Sequence, residues 1–268
     1  MNSRRFAILR EMGFAPLWRL RTSAETGGSE ADANAAISGL PPGEAPEADG
    51  SSQRVLTPTH ADTPAGSSSV ATSVRAMSTS HVAAMDWQEL EETIHACRSC
   101  VLCEKRTQAV SGVGDREARW MFVGEGPGAE EDRRGEPFVG QAGRLLDHML
   151  AALDLKRGED VYIANAVKCR PPHNRTPEAA EIAACAAFLD RQIALVRPRL
   201  LIALGRPAAQ VLLGREISIG AARGKRFERS GIPVIVTYHP AYLLRNPLDK
   251  GKAWEDLCFA RRLVAEGA

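Results

Sequence analysis

A chain of 268 residues is long enough for one large domain, or for one ordinary domain with a tail. No apolar run approaches the roughly 18 residues of a membrane span, so we expect no transmembrane segment and no membrane partner. From Cys97 onward there are 27 Lys and Arg against 21 Asp and Glu, whereas residues 1–96 contain 7 against 12. An acidic tail therefore precedes a basic domain, and the basic excess is weak support for a polyanionic partner.

The first third of the chain is predicted to form two segments outside the folded domain. Residues 1–22 are basic and amphipathic, which is typical either of a short frayed helix or of a peptide that binds an unknown protein partner. Arg10 and Glu11 interrupt its apolar region and disfavour a secretory signal; a transit peptide is a weaker alternative. Residues 23–84 are rich in Ala, Gly, Ser, Pro and Thr and predict a disordered linker. We place the folded domain at residues 85–268.

Within that domain, short apolar runs alternate with helical stretches. The runs predict four buried strands: Trp120–Val123, Val161–Ala164, Leu200–Leu204 and Val234–Thr237. The predicted helices are Gln141–Leu153, Thr176–Val196, Pro207–Leu213 and Gly251–Ala265. Thr176 is expected to cap the second helix, with Pro177 at its first position. The alternation predicts a three-layer α/β/α fold around a central, mostly parallel, four-stranded sheet.

Glycine-rich sequence follows the first predicted strand, at the end of the sheet where ligands of parallel sheets bind. The segment is Gly124-Glu125-Gly126-Pro127-Gly128, with Glu131 three residues later. A dinucleotide-binding loop is disfavoured, because Gly128 is out of step with G-x-G-x-x-G and Pro127 interrupts it. Glycines at these positions would instead let the backbone approach a ligand closely.

Three further side chains stand out, two of them just after predicted strands. Phe138, between a proline and glycine-rich flanks, is either a core residue or a stacking platform. Asn165 follows the second strand; such an Asn is most often a turn former, but its amide can also complement uracil, accepting from N3–H and donating to O4. His239 follows the last strand and precedes Pro240, where a structural histidine is the alternative.

The cysteines indicate a metal centre rather than disulfides. Cys97 and Cys100 lie near the start of the domain, and Cys169 and Cys185 lie far downstream. Four thiolates in a cytosolic α/β protein suit Zn²⁺ or an iron–sulfur cluster, and the spacing alone does not choose. Cys103 extends the first pair to a ferredoxin-like triplet, which is a further alternative.

Three segments of the chain resemble the family 4 uracil-DNA glycosylases, the iron–sulfur members of that superfamily. They are GEGPGAEEDRRGEPFVGQAGRLLD, NAVKCRPPHNRTPEAAEIAAC and HPAYLLRNP, and the resemblance runs from about Cys97 to Pro247. It implies a uracil-DNA glycosylase-like fold and a monofunctional enzyme of base excision repair. Such an enzyme hydrolyses the N-glycosidic bond of deoxyuridine in single- or double-stranded DNA and leaves an abasic site. It also implies a [4Fe-4S] cluster held by Cys97, Cys100, Cys169 and Cys185, with Cys103 outside the ligand set.

The resemblance assigns roles around the uracil. Phe138 matches the residue that stacks on the flipped base, Asn165 the residue that recognises the pyrimidine, and His239 a histidine near uracil O2. Gly126 matches a uracil-binding glycine that stands where better-known uracil glycosylases have a water-activating Asp. His239 is expected to stabilise the uracil anion as it leaves.

The resemblance leaves the handling of water open between Glu125, Glu131 and Asn174, all three of them catalytic candidates. It matches Leu243, Leu244 and Arg245 to the loop that enters the duplex where the base has left.

Two other interpretations are a cluster-bearing DNA-binding module without chemistry and, more weakly, a redox carrier. Covalent capture of uracil-DNA is disfavoured, because the Lys-Arg-Arg-Ile-His segment of the branch that performs it is not present in this sequence. We expect a monomer in the bacterial cytoplasm, associated with the nucleoid.

Overall fold

The computed structural model describes residues 79–266. The predicted peptide at residues 1–22 and most of the predicted linker lie outside the described residues. Residues 79–84, placed by the sequence at the end of the linker, form a helix, α1 (Thr79–Ala84). Val82 on this helix is buried, in a cluster with residues of the domain that follows. The domain therefore includes at least one helix before residue 85.

The remaining helices are α2 (Trp87–Ala96), α3 (Ala129–Arg134), α4 (Gln141–Ala152), α5 (Ala179–Val196), α6 (Arg206–Leu213), α7 (Ile219–Ala222), α8 (Pro240–Arg245) and α9 (Lys250–Glu266). Short 3-10 helices occupy Val101–Glu104, Pro172–Asn174 and Pro247–Asp249. The strands are β1 (Val113–Gly114), β2 (Trp120–Gly124), β3 (Val161–Asn165), β4 (Leu200–Leu204), β5 (Arg226–Arg229) and β6 (Ile232–Thr237). Among residues 79–266, none of these helices is long and apolar enough to span a bilayer.

The sheet has the strand order β1-β3-β2-β4-β6-β5. The four inner strands are parallel, and β1 and β5 join the two edges in antiparallel orientation. The α/β fold with a mostly parallel sheet is thus confirmed, but the prediction of four strands is wrong, because the sheet has six. The edge strands escaped prediction since β1 is two residues long and β5 is the charged sequence Arg-Phe-Glu-Arg, so neither has an apolar run.

Alternate residues of the inner strands pack against helices on opposite faces of the sheet, which gives the three layers. Trp120 and Phe122 face a cluster with α4 and α9, whereas Met121 and Val123 face a cluster with α5 and α6. Both faces of these strands are buried, which explains why they read as continuous apolar runs.

The start of α5 differs from the sequence prediction. Its N-cap is Glu178 rather than Thr176, and the helix begins at Ala179. The Glu181 carboxylate accepts the Glu178 N–H at 2.8 Å and so satisfies a free donor of the first turn. The Thr176 side chain is engaged elsewhere, in a hydrogen bond with Glu125. The prediction of Thr176 as the N-cap and Pro177 as the first helical residue is therefore wrong.

A buried carboxylate ties the last helix to the strand that leads into His239. Asp256 on α9 accepts hydrogen bonds from Arg223 Nε and Thr237 Oγ1, each at 2.8 Å. We predict that Asp256→Ala lowers the free energy of unfolding by about 3 kcal/mol, the lower end of the range for breaking a buried pair, since Arg223 keeps some contact with solvent.

Denaturant unfolding measures this change. Glu255→Ala is the matched control, because Glu255 pairs with the same arginine at 3.4 Å but is 77% exposed. Its loss should change stability by less than about 0.5 kcal/mol. Equal effects of the two substitutions on the free energy of unfolding would contradict the stabilising role of the buried Asp256 carboxylate.

Candidate active site

A cavity of about 810 Å³ opens at the carboxyl ends of the parallel strands. Its walls come from the loops that follow β2, β3, β4 and β6, as expected for a parallel α/β sheet. The sequence-predicted residues that line it are Glu125, Gly126, Glu131, Phe138, Asn165, Asn174, His239 and Arg245. The fold therefore brings together side chains that are up to 120 positions apart in the chain.

The floor of the cavity depends on the pairing of β2 with β3, in which Gly124 stands opposite Asn165. A Cβ atom on Gly124 would lie 2.4 Å from Asn165 Oδ1 and 2.6 Å from Phe138 Cζ. Only glycine leaves room for both side chains at this position. Asn165 itself is 1% exposed, and its Oδ1 is buried without a hydrogen-bond partner among the described residues. A buried acceptor of this kind costs about 1–3 kcal/mol unless a ligand satisfies it.

Phe138 forms one wall, and its backbone is strained. Its ring stacks on His239 with a centroid separation of 5.4 Å and an interplanar angle of 29°. Its φ of 56° lies in the left-handed region, which is unfavourable for an aromatic residue and costs about 1–3 kcal/mol. A Cβ atom on Gly143 would lie 1.8 Å from the Phe138 carbonyl oxygen, so the first turn of α4 accepts this backbone only because it has a glycine.

Glu131 holds two loops of the cavity in place. Its Oε2 accepts the Gly128 N–H at 3.1 Å, and its Oε1 accepts the N–H groups of Val139 and Gly140 at 3.0 and 3.1 Å. Both carboxylate oxygens are thus occupied by backbone donors. The side chain joins the glycine-rich loop after β2 to the segment that contains Phe138.

His239 is the N-cap of α8, and its Nδ1 accepts the Ala241 N–H at 3.1 Å. This bond places the ring proton of the neutral imidazole on Nε2. Burial lowers the pKa of His239 to about 4, with a further lowering by Arg245 and an opposing effect of Glu131. The imidazole is therefore uncharged at neutral pH and has a donor available on Nε2.

Gly126 and Glu125 are adjacent but differ in what the fold demands of them. A Cβ on Gly126 would lie 2.8 Å from Val167 Cγ2, so a larger side chain there would require Val167 to move. Burial raises the pKa of Glu125, while its hydrogen bond with Thr176 and the charge of Arg206 act in the opposite direction. Asn174, on the opposite loop, accepts a hydrogen bond from Arg170 Nε through Oδ1 at 2.7 Å.

The three residues predicted to enter DNA do not share one environment. Leu243 is 1% exposed and packs in the core, because it lies on the inner face of α8. Leu244 is 43% exposed, and Arg245 lies at the cavity. Consecutive helical residues point in different directions, so only Leu244 and Arg245 are available at the surface.

Several lining residues were not singled out from the sequence. The stacked pair Tyr238 and Tyr242, with ring centroids 5.0 Å apart, was not assigned. Gly124, which underlies the cavity without lining it, was quoted as part of a motif but given no role. Arg206 was also missed. Tyr238 and Arg206 each come within two residues of a strand end, so the rule that ligands bind at strand ends could have identified both from the sequence.

The four predicted cysteine ligands lie at one buried apolar cluster. Cys97 follows α2, Cys100 begins a 3-10 helix, and both pack against a buried apolar cluster that contains Cys169 and Cys185. Cys103 is not a member of this cluster. As they stand, the described residues include no group of three or more His, Cys, Asp or Glu placed to hold a metal ion.

The chemistry of this cysteine pocket suits a thiolate-bound group. Burial raises the pKa of the Cys185 thiol to about 12 and also raises that of Cys169, so thiolates there require a cation. The Arg106 Nη1 group donates to Cys169 Sγ at 2.8 Å, and the Lys168 backbone N–H donates to Cys185 Sγ at 3.3 Å. Hydrogen bonds of this kind to ligand sulfurs are typical of iron–sulfur and zinc sites.

Comparison with known proteins identifies relatives over the folded domain. The uracil DNA glycosylase superfamily model matches residues 111–258. The type-4 uracil-DNA glycosylase of Pyrobaculum aerophilum is 45% identical over 181 residues, which cover 65% of this chain and 92% of that protein. That of Thermotoga maritima is 48% identical over 159 residues (59% and 82%), and that of Archaeoglobus fulgidus is 45% identical over 167 residues (59% and 83%).

The matched region contains the cavity, its lining loops and two of the four cysteines, and the longest of these alignments covers nearly the whole of the relative. The chain belongs to the uracil DNA glycosylase superfamily and, within it, to the type-4 uracil-DNA glycosylases.

Proposed function

We propose that this protein excises uracil from DNA by hydrolysis of the N-glycosidic bond, as a monofunctional glycosylase of base excision repair. Membership of the type-4 family supports the activity. One structural observation supports the substrate, namely the buried, unpartnered Oδ1 of Asn165 at the floor of the cavity. We also propose that the protein acts as a monomer. We place it with its DNA substrate, in the cytoplasm at the nucleoid.

The Asn165 amide matches one face of uracil. Its Oδ1 accepts from N3–H, and its Nδ2 donates to O4, whereas cytosine presents an acceptor at N3 and a donor at C4. Uracil would therefore satisfy the acceptor that the protein leaves unpaired, and cytosine would not. Discrimination of this kind is strong, because the rejected base leaves a buried polar group without a partner.

The base reaches the cavity only after it leaves the helical stack. Phe138, whose ring packs against His239, would offer its ring to the extruded uracil. Leu244, exposed beside the cavity, would fill the gap in the duplex, and Arg245 would face the phosphates. We assign Leu243 a packing role instead, as the core residue that fixes the position of these two.

Departure of the base leaves negative charge on uracil. The His239 Nε2–H would donate to O2, and the imidazole does so as a neutral donor because its pKa is low. A well-placed donor of this kind contributes about 3–4 kcal/mol of transition-state stabilisation. The fixed Nδ1 bond to the Ala241 N–H keeps the proton on the nitrogen that faces the base.

The remaining carboxylates divide between structure and chemistry. Because backbone donors occupy both oxygens of Glu131, we assign it to holding the loops. Glu125 is then the carboxylate that we assign to steadying the developing positive charge on the sugar. Asn174, whose Oδ1 is held by Arg170, would direct its amide toward the attacking water.

We also propose that Cys97, Cys100, Cys169 and Cys185 bind a [4Fe-4S] cluster, which would cross-link the chain and take no part in bond cleavage. Their convergence in one apolar pocket and the N–H donors to two of the sulfurs support this assignment. The cluster would join α2, the loop after β3 and α5 at a single point.

The first prediction from the proposed function concerns Asn165. Asn165→Ala should lower kcat/KM on a uracil-containing oligonucleotide by at least about 100-fold, since a donor and an acceptor to the base are lost. Thermal stability should be unchanged or higher, because the substitution removes a buried unsatisfied acceptor.

Alkaline scission of the abasic product measures the activity on U·G, U·A and single-stranded substrates. The matched control is Asn246→Ala, which removes an exposed amide that bonds only its own helix end. An inactive wild-type protein would refute the proposed function, and an active Asn165→Ala variant would refute the role of Asn165.

A second prediction concerns the protonation of His239. Because its pKa is about 4 rather than the usual 6.5, the imidazole should stay neutral, with the proton on Nε2, from pH 8 down to pH 5. Nitrogen-15 NMR of the ring, assigned with a His239→Asn variant, follows this directly. Arg245→Gln removes the neighbouring positive charge and should move the pKa upward. Titration of His239 near pH 6.5 in the wild type would contradict the neutral-donor role.

The third prediction concerns the cysteine pocket. Cys185→Ser should reduce the iron content and the visible absorbance, and it should lower the thermal unfolding temperature. The excision rate of the protein that stays folded should be affected less than its stability. Cys258→Ser, in α9 and outside the pocket, should leave iron content and stability nearly unchanged. Full iron content with unchanged unfolding in Cys185→Ser would overturn the ligand assignment.

A further inference from the structure

Arg157 makes a set of contacts that the catalytic residues do not explain. It lies in the short connection between α4 and β3 and does not line the cavity. Its Nη1 donates to the Pro137 carbonyl and its Nη2 to the Phe138 carbonyl, both at 2.8 Å. Its Nε and Nη2 also donate to Asp147 on α4, at 3.1 and 3.0 Å. One guanidinium therefore holds two successive backbone carbonyls and a carboxylate.

The position of Arg157 is itself fixed. The Glu159 N–H donates to the Lys156 carbonyl at 3.1 Å, Gly158 adopts a left-handed φ of 82°, and the Lys156 and Glu159 side chains form an ion pair. This turn presents the arginine toward the backbone of residues 137 and 138. The planar fork of a guanidinium suits two neighbouring acceptors, which an ammonium does not match.

Arg157 binds the backbone at residues 137 and 138, whose conformation is not one that these residues prefer locally. Phe138 has a φ of 56°, which an aromatic residue avoids, and its carbonyl is crowded by the start of α4 at Gly143. That conformation places the Phe138 ring against His239, at an interplanar angle of 29°, and over Gly124, beside Asn165 Oδ1. Left-handed backbone at a bulky residue persists only where its surroundings enforce it.

We propose that Arg157 is a positioning residue for uracil recognition: by binding the Pro137 and Phe138 carbonyls it holds the Phe138 ring at the angle that stacks on the base. The proposal rests on the proposed function. Arg157 acts through the backbone and touches neither base nor sugar. By fixing the angle of the Phe138 ring, it determines how well a flat pyrimidine can stack on that ring.

The test compares Arg157→Ala and Arg157→Lys, each in the wild-type and the Phe138→Leu backgrounds. Four quantities are measured: kcat and KM on a uracil-containing oligonucleotide, the inhibition constant of free uracil, and the affinity for an oligonucleotide with 2′-fluoro-2′-deoxyuridine, which resists hydrolysis. Arg157→Ala should lower kcat/KM by about 10- to 100-fold, the effect of a small misplacement of a binding group. Inhibition by free uracil should weaken in parallel, and Arg157→Lys should recover part of the loss.

The double variant separates a positioning role from a general one. If Arg157 acts through the Phe138 ring, Arg157→Ala should add little to the loss already caused by Phe138→Leu. Arg119→Ala is the matched control, because Arg119 pairs with Asp160 at the opposite end of the sheet. Its effect on the uracil inhibition constant should stay within about twofold.

Asp147→Ala removes the ion pair and leaves the two carbonyl bonds, so uracil inhibition should change far less than in Arg157→Ala. Equal losses in the two variants would overturn the proposal, as would an Arg157→Ala effect of full size in the Phe138→Leu background. The proposal would also be overturned if folded Arg157→Ala kept the wild-type inhibition constant for free uracil. If the alanine variant does not fold, the same result in Arg157→Lys would overturn it. An inactive wild-type protein would instead refute the glycosylase function, and affinity for the fluorinated DNA would still measure the role of Arg157.

Discussion

The active site depends on the hydrogen-bonded pairing of β2 with β3, which continues past the ends of both strands. The Ala166 N–H donates to the Gly124 carbonyl at 2.9 Å, and the Val167 N–H donates to the Glu125 carbonyl at 3.1 Å. This register sets Asn165 against Gly124 and lines up the two loops from which most of the site is built. A slip of one residue would turn Asn165 to the other face of the sheet and empty the floor of the cavity.

Around this floor the protein accepts local costs that a purely structural domain would avoid. Asn165 Oδ1 lacks a partner, and Phe138 has a left-handed backbone. Both features face the same cavity. The Phe138 segment is held by Glu131, which accepts the Val139 and Gly140 N–H groups, and it is accommodated by the glycine at position 143. Unfavourable groups that converge on one cavity are a signature of a ligand site, because the ligand supplies what the protein lacks.

The sequence predicted the inner strands well, since strands buried on both faces appear as apolar runs of the right length. Asn165 and His239 were found because they follow strand ends, and Phe138 because of its proline and glycine-rich flanks. All three match family segments, and the fold brings them to one cavity. The exposure of Leu244 and the burial of Leu243 were beyond reach, because adjacent helical residues carry no sequence mark of which one faces the core.

Other features were hidden for different reasons. Arg157 lies in a charged turn, where one arginine among several gives no signal, and its partners are backbone carbonyls that the sequence does not display. The role of Glu131 was foreshadowed by its place three residues after Gly128, the spacing at which a carboxylate reaches back to a helix start. Its bonds to Val139 and Gly140 depend on a chain path that only the fold reveals.

The same loop after β3 connects the uracil cavity to the cysteine pocket. Lys168 is 1% exposed, and its Nζ donates to the Asn165 carbonyl at 2.7 Å and to Gln192 Oε1 at 2.6 Å. Its backbone N–H meets Cys185 Sγ, and the next residue is Cys169. Asn165 therefore lies four residues before Cys169. The buried Lys168 ammonium also links the Asn165 carbonyl to α5, the helix that carries Cys185. A group bound by the cysteines would hold the loop after β3 in place. It would therefore help to fix the position of Asn165 without touching the substrate.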